Sequence, residues 1–133
     1  MDLTFQTEEY IHKELTEKII KRFYSVYNEL GYGFLENVYQ NALYYDLTDN
    51  GFKCEVQKDI KVFFKGRCVG NYRADMVVND LVLLELKASE ELNSAHATQL
   101  QNYLKATEYE VGLLLNFGKK TEVRRKVFGN DYK

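Results

Sequence analysis

The chain has 133 residues, of which 45% are hydrophobic and 29% are charged, values typical of a single globular domain that folds without disulfide bonds. Its 18 Lys and Arg residues are balanced by 20 Asp and Glu residues, which excludes a global positive field that would attract nucleic acid or an anionic membrane. No stretch approaches the about 20 apolar residues of a membrane helix, and residues 1–10 lack an apolar run. We therefore expect a cytoplasmic protein with no membrane partner.

The two cysteines, Cys54 and Cys68, lie in strand-like segments. Neither belongs to the Cys-x-x-Cys or Cys and His patterns that indicate zinc. We expect both to be buried thiols.

The first half of the chain changes from helical to strand periodicity. Apolar residues at helical spacing predict an amphipathic helix over residues 8–30. Gly31 and Gly33 interrupt the pattern, which then resumes as a second helix up to the stop signal Asn50-Gly51. Runs rich in β-branched and aromatic residues predict three strands, over residues 52–57, 60–64 and 68–78.

The second half alternates between the two types. After a turn at Asn79-Asp80, an apolar run predicts a strand over residues 81–88. Asn93 or Ser94 begins a third helix that runs to about Thr107. Two further strands are predicted over residues 110–116 and 121–128. Without a repeat or a linker, this order predicts one α/β domain over residues 1–133.

Three charged residues lie on two neighbouring strands of this prediction. Asp75 is near the end of one strand, and the alternation of side chains places Glu85 and Lys87 on one face of the next. Asp75 lies opposite Glu85 only if the turn has three residues, Asn79 to Leu81, because a two-residue turn would bring Leu84 there instead. We therefore predict the three-residue turn or a bulge.

Such a pair of carboxylates suits a hard divalent cation. Adjacent anions repel each other, and Mg²⁺ binds a few carboxylates together with water and substrate phosphate. Lys87 on the same face would orient or polarise an attacking water and offset charge in the transition state. The three groups suit phosphodiester hydrolysis with Mg²⁺ or Mn²⁺.

Asp75, followed after nine intervening residues by Glu85-Leu86-Lys87 and preceded by a helix with Glu36, resembles the PD-(D/E)XK nuclease superfamily. Arg73-Ala74 replaces the proline of the family name. The resemblance implies a restriction-endonuclease-like core, with a central mixed sheet flanked by helices. It implies action on nucleic acid, DNA more than RNA, and metal ligands at Asp75, Glu85 and the carbonyl of Leu86.

A second motif, residues 33–39, resembles the small bacterial family named for its GxxExxY motif. The resemblance implies that Glu36 is an additional catalytic carboxylate directed at the metal, with Tyr39 one turn away. Gln99 and Tyr103 are similar to the accessory Gln-x-x-x-Tyr motif of exonuclease-type relatives, and His96 shares their helix face.

Structural alternatives stand beside each assignment. Leu-Glu-Leu-Lys-Ala also occurs in ordinary half-exposed strands, although the apolar run before it is typical of a central strand. Glu36 in a first helical turn favours the helix dipole, and Gln99 and Tyr103 align on any solvated helix face. Arg73 either reaches a phosphate or neutralises the acidic site, and we favour the structural role.

The sequence has one cluster of basic residues. This cluster either follows a nucleic-acid backbone or protects an edge strand from pairing. We favour protection. Its members are Lys119, Lys120, Arg124, Arg125 and Lys126.

The leading hypothesis is a metal-dependent nuclease in which Asp75 and Glu85 bind the ion, Glu36 assists and Lys87 is the catalytic lysine. The rival is an inactive nuclease-fold module that binds nucleic acid or protein. Because the net charge is −2, a homodimer or a partner chain would then supply part of the grip. A hydrolase of small phosphate esters is a third alternative.

Overall fold

The computed structural model describes residues 11–133, in which helices cover both faces of a five-stranded mixed sheet. The helices are α1 (Lys13–Leu30), α2 (Glu36–Asp49) and α3 (Ser94–Ala106). The strands are β1 (Cys54–Phe64), β2 (Arg67–Val78), β3 (Val82–Lys87), β4 (Val111–Phe117) and β5 (Thr121–Val127), followed by a short 3-10 helix (Asn130–Tyr132). This architecture confirms the predicted α/β fold class.

The two N-terminal helices form a pair joined by a glycine turn. Gly31 adopts φ 72° and donates its N–H to the carbonyl of Tyr27 at 2.8 Å, which ends α1 in a conformation that glycine adopts without strain. Arg22 on α1 holds Asp46 on α2 through two N–H donors at 2.6 and 2.8 Å. The predicted first helix is therefore present from Lys13, and residues 8–10 of that prediction lie outside the described residues.

The strands follow one another across the sheet in the order β1-β2-β3-β4-β5. Neighbouring strands are antiparallel except β3 and β4, which are parallel and joined through α3. All seven residues of β4 are buried, as expected for a strand covered on both faces. β3 therefore lies at the centre of the sheet, as its apolar sequence predicted.

Side chains of β3 alternate between two core layers. Leu84 and Leu86 pack against α1 and α2, whereas Leu83 belongs to the layer beneath α3. By the same alternation Glu85 and Lys87 point toward the α3 side. Both are only partly buried, while Leu86 between them is fully buried. The apolar residues of β3 thus fix the strand from which two charged groups project.

The turn between β2 and β3 has the predicted three residues. Val78 pairs with Val82 and Met76 with Leu84, so one further step brings Asp75 level with Glu85. Asn79 and Asp80 adopt positive φ of 53° and 57°, a conformation that these residue types tolerate better than most.

Two expectations about the first strands were wrong. Residues 52–57 and 60–64 do not form separate strands, because β1 runs through Gln57, whose φ of 50° accommodates the interruption within one strand. Cys68 is exposed, since it lies near the tip of the β1–β2 hairpin, beyond the core. Cys54 is half-buried, and burial raises the pKa of its thiol to about 11.

Candidate active site

The Asp75 carboxylate is held at the point where the pairing of β2 with β3 stops. The ladder ends at Met76 and Leu84, and beyond it Oδ2 of Asp75 accepts the backbone N–H of Leu86 at 2.8 Å. Oδ1 receives the side-chain amide of Gln57 at 3.3 Å, and that amide also donates to Gln40 on α2 at 2.6 Å. A carboxylate thus replaces backbone pairing beside the central strand.

Glu85 lies in a site that resists ionisation. Burial raises the pKa of its carboxyl to about 7, and the neighbouring Asp75 carboxylate adds to the rise. The hydroxyl of Tyr72 on β2 donates a hydrogen bond to Glu85 Oε1. Because burial and the Glu85 charge raise the pKa of Tyr72, its phenol stays protonated and remains a donor.

Tyr103 on α3 packs against Tyr72, the donor of this hydrogen bond. Its ring stacks on the ring of Tyr72, with centroids 3.8 Å apart and planes 11° from parallel. Of the predicted accessory pair, Tyr103 therefore reaches the site through Tyr72, whereas Gln99 is exposed on α3. His96 is partly buried, and its Nδ1 makes no hydrogen bond within the described residues.

Glu36 and Lys87 complete the charge distribution around Asp75. Glu36 begins α2 and is exposed as a residue, yet partial desolvation raises the pKa of its carboxyl. Lys87 opposes this rise and Asp75 adds to it, so the three groups act on one another electrostatically. Among residues 11–133 no three His, Cys, Asp or Glu side chains come together as a ready cluster for a metal. Glu36 thus contributes a nearby charge to the pair formed by Asp75 and Glu85.

The backbone beyond Lys87 is fixed by a buried amide on the neighbouring strand. Asn116 on β4 is fully buried, accepts the N–H of Ser89 at 3.1 Å and donates to the carbonyl of Ser89 at 2.9 Å. The backbone N–H and carbonyl of Ser89, two residues after Lys87, are thereby both hydrogen-bonded. The arrangement limits movement of the end of β3.

Two other predicted site residues have structural contacts. Tyr39 is fully buried, stacks on Phe117 at 4.5 Å and donates to the carbonyl of Gly31 at 2.5 Å. It therefore holds the glycine turn that precedes Glu36. Arg73 is exposed and pairs with Asp59 on β1 at 3.0 Å, and not with Asp75 or Glu85 as the expected neutralising role would require.

Sequence reasoning missed four polar residues that position the site. They are Gln40, Gln57, Tyr72 and Asn116. Strict alternation along β2 would place Tyr72 and Asp75 on opposite faces, but Tyr72, Ala74 and Val77 all belong to the layer beneath α3. The alternation therefore slips near Asp75, and no signal in the sequence marks that slip.

The basic residues at the other side of the sheet lie around β5, an edge strand. Arg124 pairs with Glu122 at 3.1 Å, and Arg125 donates to the carbonyl of Ile11 at 2.6 Å. Lys119 and Lys120 are exposed in the preceding turn. These contacts are compatible with the interpretation that the basic residues protect β5, because charge at an edge strand disfavours pairing with another chain.

Comparison with known proteins gives the family. A family model described as PD-(D/E)XK nuclease superfamily matches residues 13–126. The chain belongs to the PD-(D/E)XK nuclease superfamily. Superfamily members generally use divalent metal ions and act on nucleic acid. No curated protein matches the sequence significantly.

Among solved structures, the chain is similar to the crystal structure of SSO0001, with a TM-score of 0.54 and 21% sequence identity. The match covers 94% of this chain and 63% of that one, so the chain spans less than two thirds of that protein. At this identity the likeness concerns the fold alone. Within residues 11–133, no helix has the length and apolar character needed to cross a membrane.

Proposed function

We propose that this protein is a metal-dependent nuclease that hydrolyses phosphodiester bonds, with DNA as the favoured substrate. The observation that carries the proposal is the meeting of Asp75 and Glu85 beside the central strand, where burial and then the Asp75 charge raise the pKa of Glu85. A structural ion pair would bring opposite charges together. Two like charges held at a partly open site instead favour a cation.

The donor set fits Mg²⁺ or Mn²⁺. The oxygens of Asp75 and Glu85 and the backbone carbonyl of Leu86 are hard ligands, and Mg²⁺ is usually held by one or two carboxylates with water and substrate phosphate completing the shell. When bound, the ion supplies Lewis-acid stabilisation of the phosphate charge.

Lys87 and Glu36 would act on the reacting groups. In the reaction the oxygen of water bonds to phosphorus and releases a proton to the surrounding water, the bond to the leaving oxygen breaks, and that oxygen takes up a proton from the surrounding water. The ammonium of Lys87 orients the water and offsets negative charge at phosphorus. Glu36, whose raised pKa makes it a better proton acceptor than an ordinary carboxylate, orients the water or adds a ligand.

Tyr72 is assigned as a positioning residue. It donates to Oε1 of Glu85, and the other carboxylate oxygen would remain available to a metal ion. The stacked ring of Tyr103 restricts the movement of Tyr72, so Tyr103 positions the Glu85 carboxylate indirectly, through Tyr72. Gln57 has the equivalent role for Asp75.

We also assign the chain to the GxxExxY branch of the superfamily. The motif begins in the turn after α1 and continues into α2. Its Tyr39 donates a hydrogen bond to the carbonyl of Gly31, and its Glu36 interacts electrostatically with Asp75 and Lys87. These contacts support a common purpose for the motif, which is to hold a helix N-terminus and its carboxylate at the site.

The test is cleavage of single-stranded DNA, duplex DNA and RNA by purified protein with Mn²⁺ and with chelator. Lys87→Ala is prepared in parallel, with Lys105→Ala as a matched control, because Lys105 is an exposed lysine on α3. Metal-dependent cleavage that Lys87→Ala loses and Lys105→Ala keeps supports the proposal. If the folded wild-type protein cleaves nothing and binds no metal, the chain is instead an inactive binding module.

A further inference from the structure

The β1–β2 hairpin carries a second region with the chemistry of a binding surface. Beyond Tyr72 the hairpin, residues 61–71, has no third strand paired to it, since β3 pairs with β2 only from Met76 to Val78. We call residues 61–71 the arm. At about 3.3 Å per residue, Arg67 lies roughly 25 Å along β2 from Asp75. The tip of the arm thus lies roughly 25 Å along β2 from the candidate active site.

The arm is positively charged, in contrast to the whole chain. It contains Lys61, Lys65 and Arg67 and no acidic residue, while the net charge of the chain is −2. All three are exposed, and within residues 11–133 none of them forms an ion pair. Such a local concentration of unpaired cations attracts a polyanion.

Large apolar side chains are exposed among these cations. Phe63 is 57% exposed, Phe64 60% and Val69 62%. Exposed aromatic rings interleaved with cations are typical of surfaces on which the bases of a single strand stack while the backbone is neutralised.

We propose that the arm binds a single-stranded segment of nucleic acid next to the site of hydrolysis. This inference rests on the proposed nuclease function and names the surface that holds its substrate. A second copy of the chain is the rival occupant, because exposed phenylalanines also favour self-association. Like charges on two facing arms would repel, with three cations on each, so the polyanion is the better match.

The experiment measures binding without cleavage. A fluorescein-labelled single-stranded 20-mer is titrated in chelator, with anisotropy as the signal, against wild type, the triple variant Lys61→Ala/Lys65→Ala/Arg67→Ala and a control triple variant. The control removes three exposed helix lysines, Lys18, Lys21 and Lys105, so that both triple variants have the same net charge. Circular dichroism checks the fold of each protein.

The arm variant should bind at least about tenfold more weakly at low salt, and the slope of log affinity against log salt should fall by about two, the value for three released phosphates of a single strand. Phe63→Ser/Phe64→Ser should weaken binding of the single strand more than that of a duplex of the same length. Equal affinities for the arm variant and the control triple would overturn the proposal.

Two further readouts separate the possible failures. Hydrolysis of bis-p-nitrophenyl phosphate, too small to reach the arm, should persist in the arm variant and disappear in Lys87→Ala; its absence in wild type would count against the nuclease function and not against the arm. Sedimentation tests the rival. If Phe63→Ser/Phe64→Ser dissociates a dimer and leaves nucleic-acid binding unchanged, the arm is a self-association surface and the proposal fails.

Discussion

The two ends of β2 differ in almost every physical property although they belong to one strand. Its last residues, Met76 to Val78, are buried between β1 and β3, and Asp75 just before them is fixed by Leu86 and Gln57. Its first residues, Arg67 to Asn71, are exposed and paired only with β1. The fold thus holds the side chains of the proposed metal site in place, whereas it leaves the charges of the proposed nucleic-acid-binding arm accessible.

The buried end should tolerate substitution far less than the arm. Asp75→Ala removes one proposed metal ligand and the acceptor of the Leu86 N–H, so we expect cleavage to fall by about 10²–10³-fold or more. The measurement is the initial rate in saturating Mn²⁺. Asp59→Ala, which removes an exposed carboxylate on β1, is the matched control and should stay within about twofold of wild type. Full activity in Asp75→Ala would remove the central residue of the account.

The thiols of the hairpin report the same contrast without any activity. Cys68 on the arm is exposed, whereas burial raises the pKa of Cys54 at the sheet end to about 11. Because the thiolate is the reactive form, we expect a small disulfide reagent at pH 8 to modify Cys68 at least about tenfold faster. Peptide mapping after a short exposure measures it. Equal labelling would mean that the sheet end of β1 opens as freely as the arm.

Much of this arrangement was predictable because strong local patterns determine it. The apolar run before Glu85 identified a central strand, and the requirement that Asp75 lie opposite Glu85 selected the three-residue turn that Val78 and Val82 enclose. The helix boundaries at Gly31 and Asn93 followed from capping chemistry. Neighbouring residues decide the helix boundaries, whereas the turn followed from the register assumed for Asp75 and Glu85.

The remainder depends on contacts between distant segments. Tyr72 reaches Glu85 only because the side-chain alternation of β2 slips near Asp75, and Gln57 reaches Asp75 from a left-handed conformation within β1. Neither irregularity has a glycine or proline to signal it. The arm was missed because its three cations are spread over seven residues and interrupted by phenylalanines, so they form a patch only where the strands project.

Removal of one hydroxyl should weaken the site without dismantling it. In Tyr72→Phe the stack with Tyr103 is retained while the hydrogen bond to Glu85 is lost, so we expect kcat to fall about tenfold with KM nearly unchanged. Steady-state kinetics on a labelled oligonucleotide gives both constants. Tyr45→Phe, at an exposed tyrosine, is the control. A change in KM alone would mean that Tyr72 contacts substrate and does not position Glu85.

The smallest expected effect is on stability and depends on pH. The folded-state pKa of Glu85, about 7, exceeds the ordinary value of 4.5. The stability that neutral Glu85 contributes is therefore complete below about pH 4.5 and is lost as the pH rises through about 7. In chelator, Glu85→Gln should escape this loss and exceed wild type by about 1–3 kcal/mol at pH 8, but not at pH 4. Urea unfolding at the two pH values measures the difference, and an equal difference at both would show that Glu85 ionises normally.

The most direct test of the central claim is calorimetric titration of Mn²⁺ into the wild-type protein and into Asp75→Ala, without nucleic acid. We expect saturable binding to the wild-type protein and its loss in the variant, because the proposed metal site requires both Asp75 and Glu85. Equal binding by the two proteins, or no binding by a folded wild type, would contradict the claim that this acidic pair is an intact catalytic centre.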